Sequence, residues 1–114
     1  MKFNNVEYAG QHNTGLTFTI ETGEKGQAMA QTGPGTAGLG ADGAALLGRL
    51  ETKEADMKGT VFTRGVIVVP WVGAETFGRQ NVVVDGTGKA KVGAAGRSVQ
   101  VLGVSGGYAA LDLG

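Results

Sequence analysis

The chain has 114 residues, enough for one domain with a buried core, and its ten basic and ten acidic side chains cancel. It contains no cysteine, which excludes a disulfide framework and a zinc–thiolate site. The basic residues are scattered and no apolar run approaches the roughly 18 residues of a membrane span, so neither nucleic acid nor a membrane is an expected partner. We expect the chain to be made in a cytoplasm.

Glycine is the most unusual feature of the composition, with 22 residues against only two prolines. The glycines do not follow a collagen period, and short β-rich apolar runs lie between them. This pattern indicates many tight turns and bulges. It predicts a mainly β fold, a small single-domain β barrel or sandwich of short strands.

Residues 1–26 are predicted to form an extended N-terminal arm followed by a first strand. The first ten residues alternate poorly, whereas Leu16, Phe18 and Ile20 share one face of a half-buried strand. Residues 27–43 are predicted to be a glycine-rich loop with at most one short strand, because the glycines from Gly33 to Gly43 make a helix costly.

Residues 44–114 are predicted to form the β body, and its first part is ambiguous. The leucines from Leu46 onward fit an amphipathic helix of about four turns over 44–58. Gly48 and the strong strand that follows favour a strand instead, with Leu46–Lys53 pairing to Thr60–Val69.

The stretch from Thr60 to Trp71 is predicted to be a central strand. Val66 to Val69 are four β-branched apolar residues in a row, and successive side chains of a strand point to opposite faces, so both faces must be covered. Gly65 interrupts the run as a bulge would, and Pro70 ends the pairing because it lacks an N–H.

Two hairpins are predicted in the last third of the chain. Asn81–Val84 and Lys89–Val92 flank the turn signal Asp85-Gly-Thr-Gly. Ser98–Val104 is expected to pair with Tyr108–Leu113 across Ser105-Gly-Gly.

Several short motifs imitate catalytic or ligand-binding sites without the context that these sites require. Gly33–Gly38 matches G-x-G-x-x-G but lacks the buried strand before it and the helix after it. Gly103–Gly107 fits G-x-S-x-G, yet no histidine follows Ser105, and a hairpin turn explains the glycines. Glu51, Glu54 and Asp56 lie among lysines, as in a solvated hairpin end, and His12 lacks partners at metal-ligand spacing. We predict no enzyme activity, no metal site and no cofactor.

The few aromatic side chains lie where a monomer gains little from them. Phe3, Tyr8 and Phe18 belong to the N-terminal section, and Trp71 and Phe77 to a glycine-bounded loop. Such residues are enriched at protein interfaces, although burial in the chain's own core is an equally good explanation.

From Ala41 onward the chain resembles the small capsid decoration, or cement, proteins of tailed bacteriophages. The resemblance is carried by Asp42-Gly-Ala-Ala-Leu-Leu-Gly-Arg-Leu, Gly65-Val-Ile-Val-Val-Pro, Val82-Val-Val-Asp-Gly-Thr-Gly-Lys-Ala-Lys-Val, Val99-Gln-Val-Leu-Gly-Val and the closing Leu-Asp-Leu-Gly. It covers about the last two thirds of the chain.

The resemblance implies a compact, non-enzymatic β protein, often a homotrimer, on the outer capsid surface of the virion. Such a protein bridges neighbouring major capsid subunits and stabilises the shell against the pressure of packaged DNA. On this hypothesis the arm residues Lys2, Phe3, Val6 and Tyr8 contact the capsid, and the subunit contacts are made by Arg64, Trp71, Phe77 and Arg79. The alternative is an adhesin-like virion-surface module that binds carbohydrate or protein through an accessible Trp71.

Overall fold

The computed structural model describes residues 13–114, together with the backbone of Lys2–Phe3 and Val6–Glu7. The described chain consists of strands and turns without a helix: β1 Lys2–Phe3, β2 Val6–Glu7, β3 Thr14–Ile20, β4 Ala28–Gly33, β5 Thr36–Gly38, β6 Gly48–Lys53, β7 Lys58–Arg64, β8 Val66–Pro70, β9 Gly78–Val84, β10 Ala90–Val92, β11 Arg97–Ser105 and β12 Tyr108–Asp112. The predicted mainly β fold is therefore confirmed.

The strands form a closed barrel and a second sheet. The barrel has the order β3-β5-β4-β6-β7, and the five-stranded sheet has the order β10-β9-β11-β12-β8. A bridge between Trp71 and Ala90 joins the two ends of the second sheet. A separate short ladder pairs β1 with β2.

Two apolar clusters hold this arrangement together. The smaller one fills the barrel and includes Ile20, Met29 and Leu50. The larger one combines the inner face of the second sheet with Ala28 and Ala30, which come from barrel strand β4. Because one core includes residues of both sheets, the barrel and the second sheet form a single compact domain.

The segment predicted to be a glycine-rich loop contributes two strands to the barrel. β4 and β5 pair antiparallel, and Ala28, Met29, Ala30 and Ala37 are buried. The glycines occupy the turn and the strand ends, where Gly35 and Gly40 have positive φ. The many glycines correctly predicted the turns, but they led to the prediction of a loop where two short strands containing alanine are present.

The ambiguous segment after residue 44 forms a strand, as favoured. β6 pairs antiparallel with β7, so the predicted partner is confirmed for the part of Thr60–Val69 before Gly65, whereas the part after Gly65 pairs with β12. Both predicted hairpins are present, since β9 pairs with β10 and β11 with β12. In the first turn the Asp85 carboxylate accepts hydrogen bonds from Thr87 and Lys89. Burial acts to raise the pKa of Asp85, but these hydrogen bonds outweigh it and the pKa is lowered.

The predicted central strand is wrong in one respect, because the chain divides it at Gly65. Residues before Gly65 belong to barrel strand β7, and those after it form β8, which lies at the edge of the second sheet. Ile67 and Val69 face the sheet's core, and Val66 is also buried although it points the other way. The apolar run reflects burial at the junction between barrel and sheet, which a sequence pattern cannot distinguish from burial between two strands.

The junction is fixed by backbone hydrogen bonds and two polar side chains. Gly65 donates to the Gly114 carbonyl (3.3 Å) and accepts from Leu113 N–H (2.9 Å), while Asn13 Nδ2 donates to Val66 O (3.2 Å). Arg97 donates to three carbonyl oxygens, those of Leu47, Thr63 and Leu113, at 2.8–3.1 Å.

Gly65 is required at the junction for two reasons. Its φ of 88° is one that other residues rarely adopt, and a Cβ there would overlap Asn13 Oδ1. We expect Gly65→Ala to lower the free energy of unfolding by about 2–3 kcal/mol, because backbone strain and overlap add.

Gly43→Ala is the matched control, since Gly43 has a similar φ of 95° with nothing within 4 Å of an added Cβ. Strain alone should cost about 1 kcal/mol there. Urea denaturation of both variants measures the difference, and equal losses would show that the contact with Asn13 is unimportant.

Candidate partner-contact surface

The loop between β8 and β9, residues 71–77, is the most prominent apolar feature of the described surface. Pro70 ends β8, and the positive φ values of Gly73 (112°) and Gly78 (89°) let the chain turn back into β9. The loop thus follows from the proline that ends β8 and from the two glycines that turn the chain.

Trp71 anchors this 71–77 loop to the second sheet. Its side chain is only 6% exposed and belongs to the larger core cluster. Its backbone N–H donates to Gly107 O (2.8 Å), and its indole Nε1 donates to Ala74 O (3.3 Å). Trp71 therefore supports the loop from beneath and is not free to contact a partner.

Phe77 has the opposite environment, with 80% of its surface exposed. Gln80 Nε2 donates to Thr76 Oγ1 (3.2 Å) and to the Phe77 carbonyl (3.4 Å), so the backbone beside the ring is held by a neighbouring strand. Val72 and Val92 are exposed as well. Full burial of a phenylalanine is worth about 1.5–3 kcal/mol, which the isolated chain forgoes at this position.

Two open cavities lie against the loop. One of about 530 Å³ is lined by Glu75, Thr76, Phe77, Leu102, Gly103 and Val104. The other, of about 420 Å³, extends along residues 71–76 to Lys91 and Val92. The surface therefore combines a projecting aromatic ring with adjoining hollows, a shape suited to contact with another protein.

The remaining predicted subunit-contact residues divide between the two parts of the fold. Arg79 is exposed on β9, two residues after Phe77. Arg64 is exposed at the end of barrel strand β7, in register with Thr14. The predicted capsid-contact residues Lys2, Phe3, Val6 and Tyr8 lie outside the residues whose side chains are described.

The motifs that imitated catalytic sites occupy ordinary structural positions. Gly33 to Gly38 spans the turn between β4 and β5, and exposed Ser105 ends β11. Glu51 accepts a hydrogen bond from Arg49 Nη1 at 2.8 Å. Within residues 13–114, no cluster of three or more histidine, aspartate or glutamate side chains is placed to hold a metal ion. The same residues contain no helix long and apolar enough to cross a membrane.

Sequence reasoning missed Val92 as part of the surface and Arg97 as the junction residue. The sequence contains no signal for Val92, because Ala90 and Val92 lie on the same face of one short strand and only the structure shows that Ala90 alone is buried. Arg97 precedes the alternating residues Val99 and Val101 and could not be distinguished from an ordinary charged strand end.

The contrast between Phe77 and Trp71 makes a prediction about stability. Phe77→Ala should change the free energy of unfolding by less than about 0.5 kcal/mol, because the ring packs on little of its own chain. Trp71→Ala should cost about 3–5 kcal/mol through loss of core packing.

Guanidinium denaturation followed by circular dichroism measures both changes without relying on tryptophan fluorescence. A comparable loss for Phe77→Ala would show that its ring packs against the chain and is not available to a partner.

The chain matches no protein-family model and no curated protein.

Proposed function

We propose that this chain is a non-enzymatic decoration, or cement, protein of a tailed-bacteriophage head. It binds the outside of the mature capsid and bridges neighbouring major capsid subunits, which stabilises the shell against internal DNA pressure. The observation that supports this role best is the exposed Phe77, held on a loop that the buried Trp71 anchors. A side chain so placed contributes little to the isolated chain and much to an assembly.

In this proposal Phe77 and Arg79 contact another copy of the chain in a homotrimer. A trimer engages the capsid at several points, and each contact after the first is effectively intramolecular, so modest individual contacts give tight attachment. The arm residues Lys2, Phe3, Val6 and Tyr8 provide the contacts to the major capsid protein. Arg64 remains a further candidate for subunit contact, from the barrel side.

The charge and the fold agree with a position on the outer surface. The formal net charge is zero, which suits a protein that does not bind the packaged DNA. The closed barrel has no free edge along which copies could pair without limit.

The adhesin-like alternative was expected to use Trp71 as an accessible ring for a sugar or a peptide. The indole is buried and its Nε1 is hydrogen bonded to the loop. No other described feature favours that alternative over the decoration role.

The proposed role is tested by co-sedimentation with expanded, undecorated capsids assembled from the major capsid protein encoded alongside this chain. The unmodified chain should bind saturably. Phe77→Ser should weaken the apparent affinity by about 100-fold, because loss of the subunit contact removes the multivalent gain.

Leu16→Ser is the matched control, since Leu16 is also a large apolar side chain, 50% exposed, but lies on barrel strand β3. It should bind like the unmodified chain. A variant lacking residues 1–10 should lose capsid binding while keeping its oligomeric state. Failure of the unmodified chain to sediment with capsids would exclude the decoration role.

A further inference from the structure

A second groove, on a different part of the molecule, lies where the barrel meets strand β8. Its volume is about 480 Å³. Barrel residues Lys25, Gln27 and Arg49 form one wall, and Val68 and Pro70 of β8, with Tyr108 of β12, form the other. The groove thus combines basic side chains with one side of a strand.

Strand β8 pairs with β12, and directly after its end Trp71 meets β10 through the bridge to Ala90. The hydrogen bonds with β12 show which residues of β8 face away from that strand. Gly65 exchanges hydrogen bonds with Leu113 and Gly114, and Trp71 N–H donates to Gly107 O. Bonded pairs alternate along an antiparallel ladder, so residues 67 and 69 also face β12. The backbone groups of Val66, Val68 and Pro70 therefore point the other way.

Two of these three positions cannot pair fully with an additional strand. Val66 O accepts from Asn13 Nδ2. Pro70 has no N–H, as is usual for proline in an edge strand. Val68 has both a donor and an acceptor on this side, and neither has a backbone partner among residues 13–114, so an incoming segment can form one pair of backbone hydrogen bonds there. This limits the occupant to a short extended segment.

The charged groups of the groove select the chemistry of that segment. Lys25 and Arg49 supply two positive charges. Arg49 Nη1 pairs with Glu51 and its Nε is buried, so Nη2, which forms no hydrogen bond within the described residues, is the group left to meet a ligand. Lys25 is exposed and forms no ion pair with any side chain of residues 13–114. Charge complementarity therefore favours a carboxylate, and the half-exposed Tyr108 adds an apolar ring beside it.

We propose that this groove is a docking site for a short, extended, acidic segment of a partner protein. The segment pairs its backbone with Val68 and places a glutamate or aspartate carboxylate between Lys25 and Arg49. This recognition adds a strand to an exposed sheet edge, where the backbone gives affinity and the side chains give specificity. The site is separate from the Phe77 surface and does not depend on the proposed capsid role.

The test is titration of the uniformly ¹⁵N-labelled chain with three capped peptides, acetyl-Thr-Val-Glu-Val-Thr-amide and its versions with glutamine or lysine at the centre. The glutamate peptide should shift the amide signals of Val68 and Gly26 saturably. The glutamine peptide should bind at least about threefold more weakly, and the lysine peptide should cause no saturable shift. Lys25→Gln combined with Arg49→Gln should weaken binding of the glutamate peptide about tenfold.

Lys58→Gln is the control, because it removes the same charge from an exposed lysine whose side chain hydrogen bonds to Thr19, a residue that does not line the groove, and it should leave binding unchanged. Equal binding of all three peptides, or no saturable shift up to about 5 mM, would overturn the proposal. Inorganic phosphate that displaces the glutamate peptide at an equal concentration would also overturn it, since the groove would then be a simple anion site. Capsid co-sedimentation is scored separately, so either proposal can fail alone.

Discussion

The fold depends on one partly buried interaction, the attachment of Arg97 to three backbone carbonyl groups. Leu47 and Thr63 belong to the barrel side of the molecule and Leu113 to the end of the chain, so one side chain joins three segments distant in sequence. Burial, and then the positive charge of Arg64, lower the pKa of the Arg97 guanidinium. Arginine nevertheless stays protonated in proteins, so all of its N–H groups remain available as donors. Lysine lacks the planar, forked head group of arginine, so a lysine at this position could not reach the same three carbonyl groups.

This attachment explains how a short chain carries a barrel and a second sheet without a linker. The chain passes from β7 to β8 through Gly65 alone, where a positive φ changes its direction. Leu113 and Asn13 donate hydrogen bonds at the bend, and the Gly114 carbonyl accepts one from Gly65 N–H. The second sheet is therefore held in a fixed orientation to the barrel, and the loop that carries Phe77 is held with it.

The sequence predicted those parts of the fold whose signals are local. The hairpins predicted from Asp85-Gly and from Ser105-Gly-Gly are present, because turn residues determine the backbone conformation of only the few residues around them. The strands at Ala28 and Thr36 were missed, because alanine and glycine give little strand signal and become buried only when the barrel closes around them. The edge position of Val66–Pro70 was missed for a related reason, since the pattern reports burial and not which element provides it.

For the candidate surface too, the sequence predicted the local features and missed those that residues distant in sequence determine. Loop position and aromatic content singled out Trp71 and Phe77 together, but only the tertiary structure separates a buried anchor from an exposed contact residue. The difference arises from the pairing of Trp71 with Gly107 and Ala90, two positions distant in sequence. Arg97 could not be identified at all, because its three acceptors lie 16 to 50 residues away along the chain.

The proposed decoration role requires that a neighbouring protein cover the Phe77 ring in the assembled state. Hydroxyl-radical footprinting of the chain bound to capsids tests it directly, with exposed Leu16 and Met57 of the barrel as internal references. On decorated capsids we expect Phe77 to be oxidised several-fold more slowly, relative to Leu16 and Met57, than in the isolated chain, where Phe77 is 80% exposed. Oxidation of Phe77 on decorated capsids at the rate expected for a freely exposed ring would contradict it.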